Sequence, residues 1–297
     1  MESAGISRIV ILTRPSAKQA LVARYGTEGQ TRFAMAQSAR GATDFARAVH
    51  EDDAQTIAVR RIRDAIPADI KIAEISRAMV AQFLFAPDDL VVAVGQDGLV
   101  ANAGKYLDGQ PLAGVNPDPG VIDGSLLAFD VPNFIAALPE ALQGKRPHRE
   151  ATLAEAATSD RQTLRGLNEI FVGVPNHQSA RYRIRFGREE EVQSSSGLII
   201  ATGTGATGWM RSIMGDGERH NPAAPTLRFA VREAWPGKGF GATITRGTVT
   251  AAEPLIIESR MDEGIMFADG IEADGVRFDA GVSATIRPSA RRVRLML

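Results

Sequence analysis

Two apolar runs with one helix-length segment between them place the strongest constraint on how this chain folds. Residues 90–95 read LVVAVG, residues 110–116 read QPLAGVN, and the intervening GLVANAGKYL has helical character. Strand, helix and strand in this order form the unit from which parallel sheets are built. The β-branched run 6–13, ISRIVILT, adds a buried strand that ends at Arg14-Pro15. The N-terminal part is therefore predicted to be an α/β domain, a parallel sheet with flanking helices.

Apolar spacing predicts the other elements of this domain. Two separate helices are expected over 38–53 and 56–66, because apolar side chains recur there at helical spacing. Alternation over 69–75 predicts a strand, and VPNFIAALPEALQ predicts a helix over 131–143. The polar segment 144–150, GKRPHRE, is interpreted as a linker.

The pattern changes near residue 150 to short strand-like runs separated by turn residues, which is typical of a β-rich domain. These runs are EIFVGVP, ARYRIRFG, GLIIATG, GATITRGTVT, EPLIIESR and VSATIRP, and the final RRVRLML alternates like an edge strand. We therefore expect an α/β domain over 1–147, a β-rich domain over 148–285, and a segment 286–297 that returns to the first domain. Asp269-Gly270 and Asp274-Gly275 are both interpreted as hairpin turns.

Composition excludes several classes of function. The chain of 297 residues contains no cysteine, so disulfides, thiolate catalysis and cysteine-ligated metals are excluded. A net charge of -1 gives no electrostatic case for binding nucleic acid or an anionic membrane. The four histidines (His50, His148, His177 and His220) are too scattered for a helical metal pair and are interpreted as surface residues. No apolar run approaches the roughly 20 residues of a membrane span, and no targeting segment is evident, so a cytoplasmic location is expected.

The turn Gly95-Gln96-Asp97-Gly98 follows the strand 90–95 and precedes a helix. Backbone N–H groups in such a turn can approach phosphate at the helix N-terminus, and ligands of open α/β sheets bind at the carboxyl ends of the strands. The motif is neither a Walker loop nor a dinucleotide G-x-G-x-x-G turn. Taken alone, this four-residue match is weak and favours the interpretation of Asp97 as a cap for a helix that begins near Leu99.

Three further polar segments follow apolar runs. Gly114–Gly120, GVNPDPG, is rich in turn formers but is expected at the same edge of the sheet as the first turn. The pair Asn168-Glu169 stands among apolar residues, where buried polar groups need partners; a ligand or an exposed strand start would each explain it. The segment Thr202–Trp209 alternates hydroxyl side chains with glycines, so it can donate several hydrogen bonds and let a ligand approach the backbone.

In this order, the four segments resemble the motifs of the NAD kinase family: G-G-D-G, G-V-N, N-E and a Thr/Gly loop, followed by a D-G hairpin. The likeness is strongest to the branch that contains mitochondrial-type NAD kinases, and it covers most of the chain. It implies a two-domain fold, a homodimer or homotetramer, and transfer of the γ-phosphoryl group of ATP to the 2'-hydroxyl of the adenosine ribose of NAD. Magnesium would arrive mostly on the ATP phosphates, and no metal-ligating residue is assigned.

The resemblance also implies residue roles. Asp97 would accept the proton of the 2'-hydroxyl, and Asn168 and Glu169 would bind the adenosine or ribose hydroxyls of NAD. The remaining nucleotide-binding candidates are Gly95, Gln96, Gly98, Asn116, Thr202, Gly203, Thr204, Gly205 and Thr207.

Gln96 departs from the family motif, which has glycine at this position. If that glycine is needed for positive φ or for close approach of phosphate, glutamine would impair donor binding. Two alternatives therefore stand beside an active NAD kinase. One is a kinase of another hydroxyl acceptor, a lipid or a sugar; the other is a catalytically impaired NAD- or NADP-binding regulator. A membrane-active lipid kinase would need an apolar entry patch, for which no amphipathic stretch is evident.

Overall fold

The computed structural model describes residues 5–215 and 221–297, so His220 lies outside the described residues. It divides into two units. The first consists of the chain through Ala103, Gln110–His148 and Leu295–Leu297; the second consists of Gly104–Gly109 and Arg149–Arg294.

Five strands form the parallel sheet of the first unit, in the order β5-β4-β3-β1-β2. The strands are β1 Arg8–Thr13, β2 Lys71–Ser76, β3 Asp89–Val94, β4 Pro111–Asn116 and β5 Phe129–Asp130. Every residue of β3 is buried. Residues 90–94 form the continuous apolar run expected in a sheet covered on both faces, and the buried Asp89 carboxylate pairs with Arg8. The predicted parallel sheet is confirmed.

Five helices accompany this sheet: α1 Ala17–Tyr25, α2 Glu28–Ala36, α3 Gly41–Ala65, α4 Asp97–Gly104 and α5 Val131–Leu142. The prediction of two helices over 38–66 was wrong, because α3 continues through the polar segment between them. The start of α4 was also predicted too late, since the helix begins at Asp97 rather than near Leu99. At α5, the Asp130 carboxylate accepts a hydrogen bond from the Asn133 N–H at 2.8 Å and caps the helix.

The second unit is β-rich, as predicted. One antiparallel sheet of six strands has the order β13-β12-β11-β8-β15-β16, and the strands β10, β9, β14 and β17 pair in a second antiparallel arrangement. The elements after α5 are β6 His148–Thr158, β7 Thr163–Gly166, β8 Glu169–Gly173, β9 Ala180–Phe186, β10 Glu189–Ser195, β11 Leu198–Ala201, α6 Trp209–Met214, β12 Leu227–Val231, β13 Arg246–Val249, β14 Leu255–Ser259, β15 Ile265–Ala268, β16 Ile271–Arg277 and β17 Ser283–Met296. The core of this unit includes Tyr182, Phe229 and Phe278, which are all buried.

Several details of the second unit differ from the predictions. The hairpin at Asp269-Gly270 joins β15 to β16, as predicted, whereas Asp274-Gly275 lies inside β16, where the pairing with β15 is irregular. The runs VSATIRP and RRVRLML belong to one strand, β17, rather than two. Only Arg246–Val249 of the run GATITRGTVT forms a strand.

Histidines 50, 148 and 177 are exposed, in agreement with their interpretation as surface residues. Within the two described ranges, no helix combines the length and the apolar character needed to cross a bilayer.

Candidate active site

The carboxylate of Asp97 lies at the N-terminus of α4, directly after β3 and its turn. Its Oδ1 accepts a hydrogen bond from the Leu126 N–H at 2.6 Å, and its Oδ2 lies 3.5 Å from the Ser125 hydroxyl. The side chain is therefore turned toward the connection between β4 and β5. Both of these groups donate to the carboxylate.

Gly124 makes this approach of Asp97 possible. A Cβ atom on Gly124 would lie 2.6 Å from Asp97 Oδ1 and 3.0 Å from a methyl group of Leu127. Gly124 is not among the site residues predicted from the sequence. A single glycine in a turn gives no sign of the contact that it makes with a residue 27 positions earlier.

The turn that precedes Asp97 uses glycine where the backbone requires it. Gly95 has a φ of 155° and donates its N–H to the carbonyl of Val115 at 3.1 Å, which ties the turn to β4. Gln96 does not have a positive φ. In the described chain, the non-glycine residues with positive φ are Arg161, Glu233 and Asp269. The position of Gln96 therefore does not need glycine for its backbone conformation.

Asn116, at the end of β4, shapes the loop that follows it. Its Nδ2 donates to the carbonyl of Ile122 at 2.7 Å, and its Oδ1 accepts from the Asp118 N–H at 2.9 Å. These bonds fold the loop back over β4, and the loop closes on the Gly114 backbone with no space for a Cβ atom there. Asn116 is thus buried and occupied mainly with the geometry of its own loop.

A cavity of about 960 Å³ within the first unit is bordered by this arrangement. Its lining comes from α1, α3, the turn before α4 and the loop after β4, and includes Gln96, Asp97 and Gly98. Arg47 and His50 contribute from α3, and His50 Nε2 lies 2.7 Å from Asp118 Oδ2. A volume of this order is sufficient for a nucleotide-sized ligand, since small-molecule sites occupy roughly 300–1,000 Å³.

In the second unit, the Asn168-Glu169 pair and the Thr202–Trp209 segment lie against each other. Thr202 donates its N–H to the Asn168 carbonyl at 2.9 Å and its hydroxyl to the Leu167 carbonyl at 2.5 Å. The same hydroxyl oxygen accepts the N–H groups of Thr204 at 3.1 Å and Gly205 at 3.3 Å. Thr202 therefore organises the loop around the carbonyl groups of the segment that carries the Asn-Glu pair.

Glycines allow this close packing. A Cβ atom on Gly205 would lie 2.1 Å from the Asn168 carbonyl oxygen, and one on Gly203 would lie 2.3 Å from the Asn221 carbonyl oxygen. Trp209, the first residue of α6, stacks on Phe171 of β8 with ring centroids 5.6 Å apart. The segment is therefore anchored at one end to Leu167 and Asn168, just before β8, and at the other end to Phe171 of β8, while Thr207 is exposed.

Thr204 has a buried hydroxyl oxygen without a hydrogen-bond partner in the described residues. The residue is only 8% exposed. An unpaired buried hydroxyl is unfavourable, so this hydroxyl has hydrogen-bonding capacity that the described residues do not use.

Glu169 is buried next to a second carboxylate, that of Asp269. From the sequence, Asp269 was predicted only as part of a hairpin turn. Burial and the nearby charge of Asp269 together raise the pKa of Glu169 to about 7. Burial also raises the pKa of Asp269, to about 6, although backbone N–H donors and Lys105 oppose this rise. Near neutral pH, both protonation states of Glu169 are therefore populated.

Comparisons with known proteins agree with the motifs. No protein-family model matches the chain. A probable NADH kinase of Oryza sativa subsp. japonica is 27% identical over 61% of the chain and 63% of its own length. An NAD kinase of Acidithiobacillus ferrooxidans is 32% identical over 44% of the chain and 46% of its own length. The matched part of the chain thus spans less than two thirds of these curated relatives.

Two solved structures share the fold. A yeast NADH kinase in complex with NADH matches with a TM-score of 0.62 at 14% identity, over 98% of this chain and 83% of the yeast chain. An NAD kinase from Archaeoglobus fulgidus in complex with ATP matches with a TM-score of 0.57 at 17% identity, over 98% and 93%. The predicted fold class and the resemblance to the NAD kinase family are therefore confirmed.

Proposed function

We propose that the protein is a kinase that transfers the γ-phosphoryl group of ATP to the 2'-hydroxyl of the adenosine ribose of NAD, giving NADP. The observation that carries this proposal is the placement of Asp97, whose carboxylate stands at the N-terminus of α4 and borders a cavity of about 960 Å³. Relatives named NAD kinase or NADH kinase support it.

Asp97 is proposed as the catalytic base. Phosphoryl transfer depends mainly on positioning and on neutralisation of charge, with one group to orient the nucleophile and accept its proton. The Leu126 N–H donates to Asp97 Oδ1 at 2.6 Å and holds the carboxylate in one orientation. The carboxylate therefore needs little rearrangement to accept a hydrogen bond from a hydroxyl group. A carboxylate held in this way can orient the 2'-hydroxyl and take its proton as the phosphoryl group is transferred.

Residues of the second unit are proposed to bind the dinucleotide. Asn168 and Glu169 present an amide and a carboxyl group to the adenosine or ribose hydroxyls. The unpartnered hydroxyl of Thr204 offers a further hydrogen bond. Gly203, Gly205 and Thr207 belong to the same loop, where the lack of side chains on the glycines keeps the backbone accessible.

The donor is proposed to bind near the turn Gly95–Gly98, where backbone N–H groups at the start of α4 favour phosphate. In the described part of the chain, no three His, Asp or Glu side chains converge in a way that could hold a metal ion. Mg²⁺ is proposed to be carried by the ATP phosphates, since Mg²⁺ retains several waters and needs few protein carboxylates. When bound, it would neutralise charge on the transferred group.

NADH is a second candidate acceptor. The rice relative is named a probable NADH kinase, and the yeast structure is a complex with NADH. NAD and NADH carry the same adenosine 2'-hydroxyl, so the proposed chemistry at Asp97 is identical for both. The two acceptors differ only in the nicotinamide ring and its charge.

The test is formation of NADP or NADPH by the purified protein with ATP and Mg²⁺, in parallel with Asp97→Asn. Asparagine keeps an oxygen for the Leu126 N–H but cannot accept a proton, so kcat should fall by roughly 10²–10⁴-fold. Glu140→Gln, an exposed acid on α5, serves as the control and should retain full activity. Absence of turnover with either acceptor, with ATP or polyphosphate as donor, would overturn the proposal.

A further inference from the structure

Asp269 occupies an unusual position in the hairpin between β15 and β16. Asp269 and Gly270 both have positive φ, at 54° and 69°, as a two-residue turn of the mirror-image type requires. The carboxylate of Asp269 reaches out of this turn and accepts hydrogen bonds from the N–H groups of Leu167 at 2.9 Å, Asn168 at 2.7 Å and Glu169 at 3.3 Å.

Three successive N–H groups on one carboxylate hold a short stretch of backbone in place. The Asp269 N–H also donates to the Glu169 carbonyl at 3.1 Å, so the contact runs in both directions. Bonds from N–H groups to an ionised carboxylate are stronger than bonds between neutral groups. The orientation of Asn168 and Glu169 therefore depends on a residue about 100 positions later in the chain.

A buried lysine adds positive charge beside this carboxylate. The Lys105 side chain is 3% exposed; its Nζ lies 2.8 Å from Asp274 Oδ2 and donates to the Ala268 carbonyl at 3.3 Å. The Tyr106 hydroxyl donates to the same Asp274 oxygen. Lys105 lowers the pKa of Asp269 and so favours its ionised form. Of the charged and titratable groups here, Asp269 acts on Glu169 directly, Lys105 and Tyr106 interact with Asp269, and Asp274 pairs with Lys105 and Tyr106.

We propose that Asp269 is a positioning residue of the dinucleotide site: its ionised carboxylate fixes the backbone of Leu167–Glu169, and its charge acts on the neighbouring Glu169 carboxyl. This inference rests on the proposed function for the identity of the ligand. The backbone bonds to Asp269 themselves belong to the protein without any ligand.

The pair has a consequence for pH. The negative charge of Asp269 is one of the two causes of the raised pKa of Glu169, the other and larger being burial. Replacing Asp269 by a neutral residue removes the repulsion, so the pKa of Glu169 should fall. The pH at which the KM for NAD changes should then move to a lower value.

The experiment compares Asp269→Asn with Gly270→Ala. Asparagine has nearly the same size and tolerates positive φ, but it has one acceptor oxygen in place of two and no charge. Alanine at position 270 strains the same turn, since its φ is positive, without changing the carboxylate. Gly270→Ala therefore controls for loss of turn stability.

Two readouts are expected to separate the variants. In hydrogen–deuterium exchange, the amides of Leu167–Glu169 should exchange faster in Asp269→Asn than in Gly270→Ala. The comparison is made after correction for any difference between the variants in the free energy of unfolding. In steady-state assays, Asp269→Asn should raise the KM for NAD by roughly tenfold, the loss expected for a hydrogen bond to a charged group. It should leave the KM for ATP unchanged and shift the pH profile of the KM for NAD downward.

Each outcome decides one proposal. Unchanged exchange at these amides in Asp269→Asn would overturn the inference whatever the protein binds. An unchanged KM and pH profile would also overturn it, as would equal effects in Gly270→Ala, which would reduce Asp269 to a turn residue. If the unchanged protein neither binds nor phosphorylates NAD or NADH, the proposed function fails, and the role of Asp269 toward a dinucleotide fails with it.

Discussion

Gln96 stands where the NAD kinase motif has a second glycine. Its φ is not positive, so its backbone conformation does not require glycine. We therefore expect Gln96→Gly to leave kcat and the KM for ATP little changed. The variant should be less stable by about 0.4–1 kcal/mol, since glycine adds freedom to the unfolded chain. Steady-state kinetics and urea denaturation measure the two effects.

A large gain of activity in Gln96→Gly would contradict this expectation. It would mean that the glutamine side chain, which borders the cavity, obstructs the donor. In that case the regulator that has lost catalysis would explain the chain better than an active kinase.

Glu169 should make stability depend on pH. Its pKa is about 7 in the folded protein, above the ordinary value of 4.5, so the folded state holds the proton more tightly between these values. The stabilisation is complete below about pH 4.5 and is lost as pH rises to about 7, with an upper limit on the order of 3 kcal/mol. Glu169→Gln should remove this part of the pH dependence.

Urea denaturation of both proteins between pH 5 and pH 8 measures the difference. Asp269 acts in the same direction, because its pKa is also raised, so some slope should persist in Glu169→Gln. Parallel curves for the two proteins would show that Glu169 does not hold a proton in the folded state.

At the scale of elements, the loop between β4 and β5 determines where the Asp97 carboxylate points. Gly124→Ala would place a methyl group 2.6 Å from Asp97 Oδ1, so the carboxylate or the loop must move. We expect kcat to fall by roughly 10²-fold, the loss typical of a displacement of about 1 Å at a catalytic group. Kinetic assays of the purified variant measure this loss.

Gly120→Ala is the matched control in the same loop. A Cβ atom there would meet only Asp118 Oδ1 at 3.6 Å, an ordinary contact. Activity should be retained in this variant. Equal activity of both variants would show that the loop adapts and that Gly124 does not constrain Asp97.

The local pattern of apolar residues was sufficient to predict the elements whose apolar residues are the ones buried in the structure. The strands β3 and β4 and the helix between them were predicted because their runs are continuous and bounded by turn residues. The prediction divided helix α3 at its polar middle. The helix continues there because this segment contains no residue that stops a helix. Asp274-Gly275 was misread because a dipeptide that often forms a turn also fits an irregular strand.

The candidate site was predictable only as far as its motifs. The structure places Asn168 in contact with the Thr202 loop, and the role of both segments as a nucleotide site stays a prediction. Asp269 and Gly124 act through contacts with residues far away in sequence, and their own neighbours resemble ordinary turns. No local sequence pattern predicts such contacts, so the roles of Asp269 and Gly124 could be identified only from the structure.

At the scale of the whole molecule, the last residues of the chain belong to the first unit. Leu295 and Met296 are each 3% exposed, and the Leu297 N–H donates to the Pro147 carbonyl at 3.0 Å. Deleting 295–297 removes two buried apolar side chains at roughly 2–5 kcal/mol each, so the free energy of unfolding should fall by roughly 4–10 kcal/mol. The midpoint of urea denaturation measures this change.

Leu297→Ala is the control, because its side chain is 43% exposed and the backbone bond to Pro147 is retained. Its midpoint should stay close to that of the unchanged protein. A deletion without effect on the midpoint would show that these residues add nothing to the stability of the first unit.

The chain passes from one unit to the other four times, after Ala103, Gly109, His148 and Arg294. A genetic crossover exchanges one contiguous stretch of sequence, so no single recombination event can replace either unit intact. A single crossover between Asp97 and Thr204 would leave the first unit with its last three residues from a different parent. Exchange of intact units between related genes would therefore require several crossovers at matched positions.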